Sequence, residues 1–419
     1  MPSSQRPTRA RHVVLWLTVA IYMITYMDRV VLATANTEIA RELGLDLKRM
    51  SVITGAFNWG YALFQIPGGL FGDWLGPRRA LAIIVIWWSL FTSFTALAWS
   101  ATTLKAVRFL FGVGEAGAFP IATRSLSRWI LATERGYAQG ITHAGSRLGS
   151  ALTPPLVVWI MVRYGWRAPF FVFGALGIVW AIVWYLYYRD SPAEHAGVNA
   201  AELDLIQTGG APRKTNAGKV PWSQILSSQT VWFLCLMYFC YNYSLNVYLN
   251  WFPTYLRKSR GVTLNEMGFY AGLPLLAGVA GDLLGGWVSD RVLHRTKNVN
   301  LARRWVAIAG FALCALATVP AALTQDVRVS VAYYSLAFFS LEWTVGISWA
   351  VPLDIGGDFA GSVSAFMNMC GNIGGAIAAT VLGWLVDWFG WNVPFLITGG
   401  LTAVAAVLYL KIDASRRIV

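Results

Sequence analysis

Eight ionisable side chains fall within stretches that are otherwise apolar enough to cross a membrane: Asp28, Arg29, Arg108, Glu115, His143, Arg147, Asp282 and Glu342. Charge at bilayer depth is expensive, so each is a functional candidate by default. The chemistry open to such a set is narrow. A carboxylate desolvated between helices holds a proton more readily, and a nearby arginine opposes that, so an acid beside an arginine can load and release protons at working pH. The planar guanidinium fork takes an anionic carboxylate through two hydrogen bonds. If substrate occupies the arginine, the acid loses its counter-charge, and the two binding events are coupled reciprocally. No Walker loop or His-Glu-x-x-His motif is present, which disfavours ATP-driven transport and membrane catalysis. Gly112-x-Gly114-x-x-Gly117 has dinucleotide-loop spacing, but no strand precedes it and it lies in an apolar helix, so close helix packing is the better reading.

Spacing constrains how these groups meet. Arg108 and Glu115 are two helical turns apart, near one face and about 10 Å along the axis, too far for contact unless the arginine leans. Asp28 and Arg29 point about 100° apart and cannot simply neutralise each other. A cross-bundle arrangement satisfies all four, with the acids at 28 and 115 near the arginines at 29 and 108. His143 and Arg147 lie four apart on one face, with Ser146 beside them. Two readings stand for this basic pair: it receives a second anionic group on the substrate, or it pairs with Asp282 or Glu342. Softer candidates are Tyr26, then Asn58, Tyr61 and Gln65, then Tyr241, Asn242 and Asn246, and finally Asn368 and Asn372. Their helical spacing suits hydroxyl-rich ligands, although buried amides also serve as interhelical glue. Trp251, Trp343 and Trp349 read as packing or interface residues.

The elements that position them are transmembrane helices. Of 419 residues, 56% are hydrophobic and 13% charged, against about a quarter charged in soluble proteins. Spans are expected at 13–36, 51–72, 80–100, 104–124, 136–162, 168–188, 228–253, 264–289, 303–323, 329–352, 360–387 and 392–411. The net charge of +13 would suggest nucleic acid in a soluble chain. Here Lys and Arg sit between apolar runs, as the positive-inside rule requires. Basic clusters at both ends and at Arg78–Arg79, Arg124–Arg128–Arg135, Arg213–Lys214–Lys219 and 291–304 place both termini in the cytoplasm. Arg257–Lys258–Arg260 dissents. Arg6, Arg9 and Arg11 run straight into a full span, which fits a signal anchor better than a cleaved signal peptide. Cys235, Cys240, Cys314 and Cys370 all lie in apolar stretches and offer neither a disulfide framework nor a metal site. The sequon at Asn242 lies inside a span. The stretch 189–227 reads as a cytoplasmic linker with a short helix at Asn199–Ile206, dividing 1–188 from 228–419.

These two parts are repeats. Gly165-Trp166-Arg167-Ala168-Pro169-Phe170 returns as Gly390-Trp391-Asn392-Val393-Pro394-Phe395, and Gly69-x-x-x-Asp73 returns as Gly286-x-x-x-Asp290. Duplicated six-helix bundles are the build of transporters that rock about a central site. Gly69-Leu70-Phe71-Gly72-Asp73-Trp74-Leu75-Gly76-Pro77-Arg78-Arg79 resembles the loop signature between helices 2 and 3 of the major facilitator superfamily. Gly286-Trp287-Val288-Ser289-Asp290-Arg291 resembles its second copy. Trp74 and Pro77 depart from the family's usual basic residues. The residue types fit a gate, with glycine allowing close helix approach and aspartate accepting from a helix N-terminus or an arginine.

Tyr26-Met27-Asp28-Arg29, Arg108-x-x-x-Gly112-x-x-Glu115-Ala116 with Pro120, and Asn250-Trp251-Phe252-Pro253-Thr254-Tyr255-Leu256 resemble the anion:cation symporter branch, over essentially the whole chain. That branch includes bacterial sugar-acid permeases and animal sialic-acid and vesicular glutamate carriers. The resemblance implies anion-coordinating or gating roles for Arg29 and Arg108, proton handling by Asp28 and Glu115, and substrate contact by Tyr61. In those permeases a small or neutral residue is expected at 147 and Asn at 143, so the basic pair is a departure. The expectation is a monomeric, cofactor-free symporter of the cell (inner) membrane that imports a small organic anion with protons. The rivals are an exchanger or efflux carrier of the same fold and an anion channel.

Overall fold

The computed structural model describes residues 6–131, 134–208, 221–356, 360–415 and 418. Among them every regular element is helical. The first half forms α1 (Ala10–Glu42), α2 (Leu47–Leu75), α3 (Pro77–Ala96), α4 (Ala101–Glu115), α5 (Ala118–Trp129), α6 (Arg135–Tyr164) and α7 (Ala168–Tyr187). The linker contributes α8 (Ala200–Thr208) and α9 (Trp222–Ser227). The second half forms α10 (Gln229–Lys258), α11 (Leu264–Thr296), α12 (Val306–Leu323), α13 (Val327–Glu342), α14 (Val345–Gly356), α15 (Ala360–Phe389) and α16 (Asn392–Tyr409). With α4–α5 and α13–α14 each making one interrupted span, this is a twelve-span, all-α membrane protein. Exposed residues such as Leu186, Leu316 and Val179 present apolar surface to lipid.

Every expected span falls on a helix, but 104–124 and 329–352 are broken. The first break, at Ala116–Gly117, follows from Pro120, which lacks the N–H that the Ala116 carbonyl would accept. At the second, Thr344 folds back. Its hydroxyl donates to the Leu341 carbonyl at 2.7 Å and its backbone N–H to the same oxygen at 3.1 Å, tightening the turn. Eight spans are long and apolar enough to cross a membrane on composition. The other four are α2, α4–α5, α6 and α10, which between them hold most of the polar residues singled out above.

The linker helix begins one residue after its expected start. Asn199 Oδ1 caps it by accepting from Glu202 N at 2.9 Å. Glu202 is fully buried. It accepts from the Thr8 hydroxyl and from the backbone N–H groups of Ala10 and Arg11 at 3.3 and 3.1 Å, placing a carboxylate on the N-terminus of α1.

The chain packs as two compact units. One comprises Met1–Val31, Trp59–Ser150 and Ile160–Asn216. The other comprises Leu32–Asn58, Ala151–Trp159 and Ala217–Val419. Within the first, α3 and α7 meet where Ser89 and Ser93 fill the space beside Gly174 and Gly177. Within the second, Asn36 donates to Thr254 Oγ1 at 2.9 Å and Lys48 pairs with Asp387 at 2.6 Å.

Candidate functional site

The first unit gathers the charges. Arg29 reaches Glu115 Oε1 through both Nε and Nη2, each at 2.5 Å. Glu115 is fully buried and Arg29 half-buried. The guanidinium lies 4.9 Å from the Tyr26 ring centroid, 4.7 Å from that of Tyr61 and 5.7 Å from that of Phe119. Asp28 turns the other way, as a 100° step along the helix requires. It is buried beside Trp88 and Thr92 of α3, within electrostatic reach of Arg108 and Glu115. Arg108 is buried with its guanidinium 4.3 Å over Phe111. The four charges thus share one neighbourhood, and Glu115 takes Arg29 rather than Arg108 as its bonded partner.

α6 delivers the second basic group. Gly145 and Gly149 let it close on α1. A Cβ at Gly145 would lie 2.8 Å from Val19 Cγ1, and one at Gly149 2.5 Å from the Met23 carbonyl. This approach sets the Arg147 guanidinium 5.5 Å from the Tyr26 centroid, so Arg29 and Arg147 share one ring. Arg147 is buried. His143 meets Tyr22 edge to face at 5.8 Å, and Ser146 turns its hydroxyl onto the His143 carbonyl at 2.6 Å. Phe119 and Tyr22 are the site residues that charge-led reading passes over. Each sits one turn from a named residue, Glu115 and Tyr26, so helical spacing could have found them.

The amides divide differently. Asn58 donates to its own helix at Thr54 O, 3.3 Å away. On α10, Asn242 donates to Tyr238 O at 3.4 Å and Asn246 to Asn242 O at 3.0 Å, while Asn250 donates to Asn246 Oδ1 at 3.0 Å. Gly371 and Gly375 of α15 back directly onto Asn242 and Asn246, so both amides also pack a helix contact. Asn368 and Asn372 on α15 are half-buried, as is Asp282 on α11. Buried Glu342 accepts from the Tyr241 hydroxyl at 3.1 Å.

The repeated loop motif needs correction in detail. Within the motif Gly72 makes the expected close approach, where a Cβ would lie 2.4 Å from Ile121 Cγ1, but at the repeated glycines the approach falls one residue before Gly69 and Gly286. A Cβ at Gly68 would lie 2.7 Å from Gly117 N, and one at Gly285 2.0 Å from Trp343 O. At Gly69 the nearest atom is 4.0 Å away, and around Gly286 nothing lies within 4 Å. The Asp73 side chain lies outside the described residues. Arg78 donates through its backbone N–H to Asp190 Oδ1 at 3.1 Å and through Nε to Tyr185 O at 2.9 Å. Asp290 pairs at 3.1 Å with Arg303, which also holds Asp354 at 3.0 Å. Arg291 lies instead over its own helix's Trp287, at 5.3 Å.

The Major Facilitator Superfamily profile matches residues 18–379 and 356–418, and the chain belongs to that superfamily. It is 39% identical to the probable sulfoacetate transporter SauU of Cupriavidus necator, over 97% of this chain and 94% of that one. It is 32% identical to the hexuronate transporter of Bacillus subtilis, over 93% and 91% of the two chains. It is 31% identical to the probable galactarate/D-glucarate transporter GudP of Escherichia coli K12, over 97% and 94%. A solved bacterial homologue of the lysosomal transporter Spinster superposes with a TM-score of 0.79 at 18% identity, covering 98% of this chain and 97% of its own. The chain is a transporter, not an enzyme.

Proposed function

We propose that this protein imports a small organic acid by proton symport with alternating access. The observation that carries the reading is the buried Arg29–Glu115 pair enclosed by Tyr26, Tyr61 and Phe119. A substrate carboxylate competes with Glu115 for the Arg29 fork. Once displaced in a desolvated place, Glu115 takes a proton; when the anion leaves, Arg29 returns to Glu115 and the proton is shed. Asp28, within electrostatic reach of Arg108 and Glu115, transmits the change to α4. The relatives' names, sulfoacetate, hexuronate and galactarate or glucarate, are all organic acids and support this substrate class.

The two six-helix halves, 1–188 and 228–419, rock about the site, with 189–227 as cytoplasmic linker. Arg78 with Asp190, and Asp290 with Arg303 and Asp354, brace the cytoplasmic gate within each half. The protein works as a monomer in the cell (inner) membrane with both termini cytoplasmic. Arg257 weighs little against that orientation, because it pairs with Glu38 at 3.8 Å.

The test is Glu115→Gln in proteoliposomes loaded with sulfoacetate, hexuronate or galactarate. Exchange of labelled for unlabelled acid persists, while a pH gradient no longer concentrates substrate. Concentration at the wild-type rate would sink the proposal. A wild type that exchanges but never responds to a pH gradient is an exchanger instead.

A further inference from the structure

The C-terminal ends of α1 and α10 enclose a cavity of about 350 Å³, within the range of small-molecule sites, roughly 300–1,000 Å³. Both helices end alike. Gly44 and Gly261 take left-handed backbone, with φ of 61° and 66°, which glycine adopts without a Cβ penalty. The chain then turns so that Leu45 and Val262 line the cavity. A Cβ on either glycine would meet nothing within 4 Å. Arg41 and Lys258 each stand three residues before these glycines and also line the cavity. They are repeat counterparts, separated by the same interval as Gly69 and Gly286. The duplication therefore sets two cations, one from each half, at one cavity.

Arg257 is the third cation of the lining and Glu38 its one acid. Glu38 pairs with Arg41 and, at 3.8 Å, with Arg257. One carboxylate thus serves two guanidinium groups, and Lys258, which is exposed, makes no ion pair with a described residue. The Arg41 side chain is 79% exposed. Thr37 Oγ1, also in the lining, and Arg257 Nε are buried atoms with no hydrogen-bond partner among the described residues. A base in the last turn of a helix answers the helix dipole, and Arg257 also ties down the following turn by donating to the Val262 carbonyl at 2.8 Å. Neither role needs a cavity or accounts for the excess of positive charge around it. Arg260, the last member of the basic cluster that dissents from the positive-inside pattern, is engaged elsewhere, donating to the Tyr255 hydroxyl at 2.6 Å and to the Ala322 carbonyl at 3.3 Å.

We propose that this cavity is a second anion site, where Arg41 and Lys258 take the carboxylate or sulfonate of a small organic acid on the outward side before it reaches Arg29. The acid displaces Glu38 from Arg41, Glu38 keeps Arg257, and Lys258 supplies the charge that no protein carboxylate answers. This deepens the import reading and rests on it for the side of the membrane and the class of ligand.

The full chain in nanodiscs of neutral lipid is titrated with labelled sulfoacetate, hexuronate and galactarate in turn, and bound acid is counted per protein. Wild type binds two molecules of an acid it transports. Lys258→Gln or Arg41→Gln weakens one site about tenfold, and the double variant binds one molecule. Arg29→Gln keeps the outer site and loses the other, so the site left filled in each variant reports a folded protein. A single site in wild type, a second site unchanged by Lys258→Gln and Arg41→Gln, or loss of both molecules together in the double variant overturns the inference. So does an outer site that equimolar chloride empties, or one that phosphatidylglycerol in the nanodisc fills in place of the acid. One molecule bound through Arg29 and none here leaves the symport reading standing and sinks this one. Two molecules bound, with Glu115→Gln still concentrating substrate at the wild-type rate, does the reverse; no acid bound sinks both.

Discussion

Arg29 and Arg147 lie against the same tyrosine ring, and that geometry sets what they can hold together. Their distances to the Tyr26 centroid cap the separation of the two guanidinium carbons at about 10 Å. Each fork takes a carboxylate or sulfonate with its central atom roughly 4 Å away, so an acid with two anionic groups a few bonds apart can engage both. Arg147→Gln is then expected to lower uptake of galactarate or sulfoacetate by about 10- to 100-fold, the worth of a charge-assisted hydrogen bond. Uptake of a hexuronate, with one carboxylate, changes little. Competition assays with the three acids check this, and equal losses would return Arg147 to a purely structural pairing. Arg29→Lys tests the other end. A point charge cannot reproduce the two-pronged contact with Glu115, so uptake of all three acids falls together.

At the scale of elements, the helix breaks and their glycines carry the argument. A methyl group at Gly285 would meet the Trp343 carbonyl at 2.0 Å, whereas Gly286 has open space. Gly285→Ala is expected to destabilise the protein by about 1–3 kcal/mol, while Gly286→Ala leaves the melting temperature unchanged. Thermal melts of the two purified variants decide it. Glu202→Gln removes the carboxylate on the α1 N-terminus and is expected to cost about 1 kcal/mol, read as a lower melting temperature. Much of this level was legible in the sequence. Apolar runs longer than a bilayer is thick leave little freedom, so all twelve spans and the linker helix fall where expected. The interruptions were not legible, because hydropathy sees no difference between a straight span and one pinched at Ala116–Gly117 or Trp343–Thr344. Gly72 packs as the motif suggests, but the repeated glycines Gly69 and Gly286 are one position out, since a sequence gives the glycine-rich register but not which glycine faces the neighbour. Asp290 has a guanidinium partner as expected, but Arg303 supplies it from beyond the next turn, a pairing that only the fold brings about. The shared neighbourhood of Asp28, Arg29, Arg108 and Glu115 was readable because few buried charges leave few ways to satisfy one another.

Across the whole molecule, the ionisable groups at bilayer depth are three arginines, His143 and four acids, namely Asp28, Glu115, Asp282 and Glu342. Under the proposed symport, protons offset the negative charge that an incoming anion adds. If two protons accompany each acid, a singly charged acid moves with net positive charge and a doubly charged acid moves electroneutrally. An inside-negative potential then favours the former by about 2.3 kcal/mol per 100 mV and leaves the latter unaffected. Potassium-valinomycin clamps on proteoliposomes check this, with hexuronate uptake rising and galactarate uptake flat. The uneven apolarity of the spans has a further consequence, for biogenesis. Among the described residues, α2, α4–α5, α6 and α10 are not among the helices long and apolar enough to cross a membrane, so they enter lipid less readily than the other eight. Shielding by α1, α3, α7 or α11 offsets that difference, so the polar side chains of the candidate site also bear on the order in which the nascent chain enters the bilayer.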